Sequence, residues 1–293
     1  MKTLTVITTT YNRGYCLHQV YESLCRQSSK DFIWLIIDDG STDKTELMIK
    51  KWQIEGQIDI EYYFKPNGGM HTARNFAYEK CKTLLNVIID SDDWMTDNAV
   101  ELIINCWNKH GTDRFYGIVA NNIDKNGKII GTQMPKEVNA ITTIDLFGKY
   151  RVRGDKKLIL RSDLSKKYPY PEFPGEKFYP ASYKFKLLDQ SYKLLIMHEA
   201  VCVVDYNPDS MTYNKYSQYK TCCQGFAHYR NVIMRISKSP QTIIPAAIHY
   251  IAESRFANDK AYIRHSSKPF VIVLCLPIGL AYYHYLCKTQ KKY

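Results

Sequence analysis

Asp90-Ser91-Asp92-Asp93 carries the densest chemistry in the sequence. Three carboxylates within four positions repel one another, and only a cation or a set of hydrogen-bond donors relieves that cost. The cluster follows the apolar run Leu84-Leu85-Asn86-Val87-Ile88-Ile89, a candidate buried strand, so its oxygens emerge where α/β sheets open a ligand crevice. Closely spaced oxygen ligands suit Mg²⁺ or Mn²⁺, ions that complete their shell with substrate phosphate. The competing reading is an acidic loop solvated at a strand end. Two more turns of similar character follow candidate strands: Asp38-Asp39-Gly40-Ser41-Thr42-Asp43 and Pro66-Asn67-Gly68-Gly69.

The elements that must position these turns alternate. Leu4 to Thr9 is β-branched and reads as a buried strand, and residues 15–28 have helical spacing through Leu17, Val20, Tyr21 and Leu24. Residues 32–37 form a second strand, and Ser41 or Asp43 can cap a helix over 44–55. A strand over 58–64, a helix over 70–82 and the strand 85–89 complete the series. This order predicts an α/β fold with a mostly parallel central sheet and helices on both faces. All three turns then project from one carboxyl edge, which is a nucleotide-site arrangement. Neither GxGxxG nor GxxxxGK[ST] is present, which argues against a dinucleotide or Walker-type site. Trp94 occupies the fifth position of what would be a DxDx[TV] phosphatase loop.

At 293 residues, 45% of them hydrophobic, the chain can bury a large core. Nine cysteines, an odd number without CxxC spacing, favour reduced thiols in a cytoplasmic protein over a disulfide framework. Met1-Lys2 leads directly into strand-like sequence, without the apolar core of a signal peptide. The net charge of +11 divides unevenly: residues 215–293 hold twelve Lys/Arg against Glu253 and Asp259, leaving only +1 for residues 1–214.

Thr10-Tyr11-Asn12-Arg13, Asp38 to Asp43, Asn67-Gly68-Gly69 with Ala73-Arg74-Asn75, and Asp90 to Asp93 together resemble the ordered motifs of family 2 glycosyltransferases of GT-A fold. The resemblance spans roughly residues 3–210. It implies a nucleotide-sugar donor, most naturally a UDP-sugar, a divalent Mn²⁺ or Mg²⁺, and inversion at the anomeric carbon. Carried over residue by residue, it implies that the backbone around Thr9-Thr10 and the ring of Tyr11 line the nucleobase pocket, with Asp39 accepting from the uracil N–H. Asn67 and Arg74 would sit near the base and diphosphate, Asp90 and its neighbour Ser91 near the ribose or sugar hydroxyls. Asp92 or Asp93 would hold the metal. The resemblance places the catalytic base beyond this cluster. Glu176, in Pro171-Glu172-Phe173-Pro174-Gly175-Glu176, fits best, with Glu172 and Asp189 as fallbacks. Asp205-Tyr206 to Ser210-Met211 resembles the loop that closes the family's catalytic domain.

Residues further along carry weaker signals. A strand is expected over 116–120 and a hairpin turn at Asn126-Gly127. Arg151, Arg153, Lys156 and Lys157 could meet an anionic acceptor, although a solvated basic edge is the favoured reading. Two or three amphipathic helices are expected over 215–265. Phe270 to Cys287 holds 18 residues without a formal charge, flanked by Lys268 and by Lys288, Lys291 and Lys292. Interrupted by Pro277 and Gly279, this run predicts a membrane-surface or re-entrant segment rather than a span or an ordinary buried helix. The expected organisation is a catalytic domain over 1–212 and a basic helical region over 213–293. The latter would meet the inner face of a membrane through residues 269–292, and the resemblance, which extends to glycosyltransferases of bacterial surface polysaccharides with comparable tails, implies a saccharide or lipid-linked acceptor there. A non-catalytic module binding anionic polymer is the alternative. Nucleic acid is disfavoured, because the charge adjoins an apolar run rather than base-stacking aromatics.

Overall fold

The computed structural model describes residues 2–205 and 215–289, and these form two units. The first covers Met1–Pro169 and Lys184–Asn207. In it the alternation predicted from sequence is realised as β1 (Leu4–Thr10), α1 (Gly14–Cys25), β2 (Phe32–Asp38), α2 (Thr45–Glu55), β3 (Ile60–Phe64), α3 (Met70–Lys80) and β4 (Leu85–Ile88). There follow β5 (Trp94–Met95), α4 (Ala99–His110), β6 (Phe115–Ile123), β7 (Ala140–Ile141), α5 (Thr143–Phe147), β8 (Lys156–Arg161), α6 (Ser162–Lys167), α7 (Ser182–Leu188) and β9 (Lys193–Val203). The hairpin expected at Asn126-Gly127 is present. Gly127 sits at φ 77°, and Ile123 bridges Ile129.

The nine-stranded sheet has the order β3-β2-β1-β4-β8-β6-β9-β5, with β7 on β9. Strands β3, β2, β1 and β4 are mutually parallel, and β8 runs against both β4 and β6. Since β9 is parallel to β6, most strands share one direction; β8, β5 and β7 oppose it. Leu4, Val6, Trp34, Ile36, Leu85 and Val87 face one core, shared with Leu17, Val20 and Leu24 of α1, Ile49 and Trp52 of α2 and Ile103 of α4. Strand alternation puts Thr5 and Asn86 on the opposite face. There the Asn86 amide donates to the Ser162 and Ser165 hydroxyls of α6. Lys184 of α7 is fully buried on the same side, donating to the Ser165 carbonyl with its ammonium 3.9 Å from the Tyr78 ring centroid.

The second unit covers Tyr170–Tyr183 and Pro208–Tyr293, so residues 170–183 group with the C-terminal helices rather than with the expected 1–212 domain. Its helices are α8 (Lys215–Thr221), α9 (Cys223–Ile236), α10 (Pro240–Phe256), α11 (Tyr262–His265) and α12 (Pro269–Thr289). Four helical segments thus precede α12, where two or three were expected. The 18-residue apolar run is not interrupted: α12 continues through Pro277 and Gly279. Gly279 lies against α10, where a Cβ would come within 2.6 Å of the Ile251 side chain. Its lack of a side chain serves close helix packing, not a break. The Tyr206–Met211 part of the expected closing loop lies outside the described residues.

Burial pushes Lys184 down to about 7. An exposed lysine titrates near 10.4, so between about pH 7 and 10 the unfolded chain binds this proton and the folded chain does not, and the contribution of Lys184 to stability rises with pH. In denaturant titrations the difference in slope between the wild type and Lys184→Met should be up to about 1.4 kcal/mol per pH unit in this range. Lys184→Met should remove that part of the slope; identical pH profiles would refute the assignment.

Candidate active site

The ends of β1 and β2 are locked by their own side chains. Buried Asp38 accepts from the Ser41 N–H (2.7 Å) through Oδ1 and from the Tyr62 hydroxyl (3.0 Å) through Oδ2. Of the two expected caps, Ser41 instead accepts from the Asn12 N–H, while the Asn12 amide oxygen accepts from the Thr42 N–H. Asp43 bridges two helix starts, accepting from the N–H groups of Thr45 and Gly14. Gly40 sits at φ 90°, and a Cβ there would lie 2.8 Å from the Asn67 nitrogen, so both backbone angle and space demand glycine.

Asp39 is buried at the centre of the next turn. Its Oδ1 accepts from Lys65 Nζ (2.7 Å) and the Gly68 N–H (3.0 Å), and its Oδ2 from the Gly69 N–H (2.7 Å) and the Asn67 amide (3.2 Å). A carboxylate offers about four lone-pair sites, and these donors fill them. Asp39 therefore shapes the Asn67-Gly68-Gly69 loop as its common acceptor. Lys65 also donates to the Pro66 carbonyl and the Thr72 hydroxyl, tying the loop to the first turn of α3. Sequence reasoning missed Lys65, whose signal was a lone cation two residues before Asn67.

The acidic cluster forms a turn in which the Asp93 N–H donates to the Asp90 carbonyl (3.0 Å). Arg74 reaches Asp90 at 3.1 Å, joining α3 to the end of β4. Burial pushes Asp90 upward, but Arg74 and Lys157 outweigh it and hold the carboxyl below the usual range. Asp92 lies 3.6 Å from Arg13; burial and the Asp90 charge raise it. Asp93 turns inward, its side chain 9% exposed, and faces Lys157 Nζ at 3.5 Å. Burial first, then Asp90 and Asp92, push it up to about 6 against the pull of Lys157.

The expected basic edge is thus only half present. Arg151 and Arg153 are exposed, but Lys157 is buried under the acidic turn and Lys156 is bound by the Ile130 and Thr132 carbonyls and the Asn121 amide oxygen. The signal for Lys157 was legible: it shares a strand face with Ile159, a core residue.

Thr9 is half-buried, Thr10 and Ser91 are buried, and Tyr11 presents a half-exposed ring at the end of β1. Asp90 and Asp92 are the members of the cluster that retain solvent access. The donor set is hard oxygen, and the mutual repulsion that raises Asp92 is what a divalent cation would relieve. Among the described residues no group of three or more His, Cys, Asp or Glu gathers around one point. The site therefore fits an ion held by one or two carboxylates together with substrate phosphates, the habit of Mg²⁺ and Mn²⁺.

The three candidate bases differ in the same lone-pair arithmetic. Asp189 accepts from the Tyr116 hydroxyl, the Thr143 N–H and hydroxyl, and the Ile144 N–H, which fills it and makes it the N-terminal anchor of α5. Glu176 does not open a helix; its two oxygens each accept one N–H, from Gln224 and Gly225 at 2.7 Å, in the first turn of α9. Each oxygen keeps acceptor capacity, and burial raises the carboxyl despite these donors. Glu172 is exposed.

Residues 5–188, more than half of the chain, match the family model described as glycosyl transferase family 2. The chain belongs to this family. Among curated proteins, poly(ribitol-phosphate) beta-N-acetylglucosaminyltransferase TarP of Staphylococcus aureus is 31% identical over 121 residues, 40% of this chain and 36% of TarP. The chain matches only about a third of that relative's length. An uncharacterized glycosyltransferase of Haemophilus influenzae is 25% identical over 74% of this chain and 84% of its own. Among solved structures, S. aureus TarS 1–349 in complex with UDP-GlcNAc has a TM-score of 0.62 at 16% identity, covering 100% of this chain and 92% of that one. The mannosyltransferase PcManGT from Pyrobaculum calidifontis, in complex with GDP-Man and Mn²⁺, has a TM-score of 0.55 at 15% identity, covering 98% and 83%. At these identities both show the fold alone. This family 2 glycosyltransferase keeps the sequence-predicted residues Asp39 and Asn67, Arg74 and Asp90, and Asp92 and Asp93 in direct contact or adjacent at one sheet edge. Glu176 belongs to the other unit.

Asp39→Ala leaves the Lys65 ammonium and the loop N–H groups without their acceptor. It should lower the folding free energy by about 2 kcal/mol in chemical denaturation, discounted for the partial exposure of Lys65. Asp59→Ala, at an exposed ion pair with Lys2, should leave the midpoint unchanged.

Proposed function

We propose that this glycosyltransferase moves a sugar, with inversion and divalent-metal dependence, from a UDP-sugar to a saccharide acceptor on a lipid-diphosphate carrier. The product would serve cell-surface polysaccharide assembly on the cytoplasmic side of the membrane. The observation that carries the reading is the pairing of Arg74 with Asp90 beside solvent-accessible Asp92, at the same sheet edge as the Asp39 loop. The UDP and UDP-GlcNAc complexes of TarS, and the Mn²⁺ complex of PcManGT, support the choice of donor and ion.

In the proposed reaction Tyr11 stacks on the nucleobase beside the backbone of Thr9 and Thr10. Asp39 accepts the base N–H in exchange for one of its loop donors, and Asn67 reports that exchange through its bond to Asp39. Asp90 and Ser91 meet hydroxyls of the donor, and Asp92 holds the ion. A divalent ion held by Asp92 would supply charge neutralisation for the leaving diphosphate. Arg74 adds a fixed guanidinium for the same charge. The acceptor hydroxyl oxygen bonds to the anomeric carbon as the bond to the diphosphate breaks, and the hydroxyl proton passes to Glu176. Glu176 suits that task chemically: its two backbone N–H bonds fix the carboxyl, and burial raises its proton affinity.

Helix α12 supplies the proposed membrane contact. It buries Ile272, Cys275, Gly279 and Leu286 and leaves Phe270, Val273, Leu274, Ile278 and Tyr285 exposed, bracketed by Lys268 and Lys288. An apolar face with cationic ends fits the interface of an anionic bilayer, where it lies in the plane.

Calorimetry should show UDP binding strengthened by Mn²⁺ and lost by about tenfold or more in Asp92→Ala. Equal UDP affinity with and without Mn²⁺ would overturn the metal role. Glu176→Gln should abolish transfer while UDP still binds and a thermal melt confirms folding; turnover within about twofold of wild type would remove Glu176 as base. In flotation assays the protein should rise with vesicles containing phosphatidylglycerol, and Leu274→Glu combined with Ile278→Glu should leave it at the bottom.

A further inference from the structure

We infer that Lys157 and Asp93 form a buried charge lock that fixes the polarity of the acidic turn: Lys157 draws Asp93 inward, so Asp92 is presented outward as the ligand for a divalent cation. The inference rests on the metal reading above and assigns roles to two residues that the reading leaves open. Antiparallel β8 starts at the carboxyl edge of the parallel strands, because Val87 of β4 pairs with Ile159 and the chain before Ile159 extends past the end of β4. Lys157 shares the face of Ile159, so its side chain lies beneath the turn, donating to the Ile88 carbonyl (3.3 Å) and facing Asp93 Oδ2 (3.5 Å). Cys202 on β9 closes the other side, its Sγ 3.9 Å from the same Asp93 oxygen. Asp93 is thereby enclosed by β8, β9 and its own turn, while the Asp92 side chain is 21% exposed against 9% for Asp93.

A buried ammonium beside Asp93 and within the field of Asp90 acts in two ways. It binds Asp93 as a counter-charge, and it lowers the negative potential that the turn presents outward. Lys157 is therefore a positioning residue that acts through Asp93 without touching the donor.

Mn²⁺ binding to the full chain in the presence of UDP, followed by electron paramagnetic resonance of free Mn²⁺, tests this directly. Asp92→Asn should weaken binding by about tenfold or more, and Asp93→Asn by no more than about threefold. Lys157→Met frees the Asp93 charge and should tighten Mn²⁺ binding by about threefold or more, and adding Asp93→Asn should return it to about the wild-type value. A purely structural pair would lower stability without this compensated change in affinity. If Lys157→Met does not fold, the Asp93→Asn and double variants decide. An Asp93→Asn loss equal to that of Asp92→Asn, or a double variant that stays far from wild type, overturns the lock alone. No Mn²⁺ binding by the wild type overturns the metal reading and the lock with it.

Discussion

Charge compensation at one edge of the sheet is the constraint on which the site depends. Asp38, Asp39, Asp90, Asp92 and Asp93 all emerge where β2 and β4 end. Such a density of carboxylates is tolerable only because each has donors or a cation of its own. Asp38 uses a turn N–H and Tyr62, Asp39 uses Lys65 and the glycine loop, Asp90 uses Arg74, and Asp93 uses Lys157. Asp92, next to Arg13 at 3.6 Å, has the loosest of these pairings. The least compensated carboxylate of such an edge is where an external cation gains most.

The topology supplies the cations. Arg74 and Lys65 come from the β3–α3 crossover, as expected of a parallel sheet whose turns share one edge. Lys157 arrives differently, on a strand that runs against its neighbours and so begins where they end. Reversal of β8 is what allows a side chain to approach the acidic turn from below. In an all-parallel sheet that position would be filled by a loop.

The first four strands, their helices and the three turns were legible because β-branched runs, helical spacing and turn residues agree over residues 4–89. That order placed the three turns at one sheet edge, but the contacts of Asp39 with Asn67 and of Arg74 with Asp90 came only with the structure. Less legible were the side chains that satisfy the carboxylates, since hydrogen-bond partners such as Asp38 with Tyr62 are set by strand register. Lys156 and Lys157 looked like a solvated edge because two adjacent lysines are usually exposed; pairing of β8 inside the sheet overrides that. Pro277 and Gly279 looked like interruptions of the apolar run, yet a helix forgoes only one hydrogen bond at a proline, and glycine lets α10 and α12 approach. The grouping of residues 170–183 with the C-terminal helices was hidden for a similar reason. It rests on contacts with α9 some 48 residues later, among them Glu176 with the Gln224 N–H, Tyr179 with His228 and Ser182 with Tyr229.

Helix N-termini attract carboxylates whether or not chemistry is involved, so position alone separates no catalytic acid from a structural one. Occupancy of lone pairs does. Asp189 at α5 and Asp39 at the glycine loop have each of their acceptor sites filled, and a group without a free lone pair takes no proton while its donors stay in place. Glu176 at α9 has two donors and keeps capacity on both oxygens, together with a raised proton affinity set by burial. A carboxylate held by one N–H on each oxygen is oriented without being neutralised, and this is the condition a general base requires. In the acidic turn the separation is one of direction instead: Asp93 faces Lys157 beneath the turn, while Asp92 keeps solvent access. Unfilled acceptors thus select the candidate base, and direction relative to a buried cation selects the candidate ligand, from a chain crowded with carboxylates.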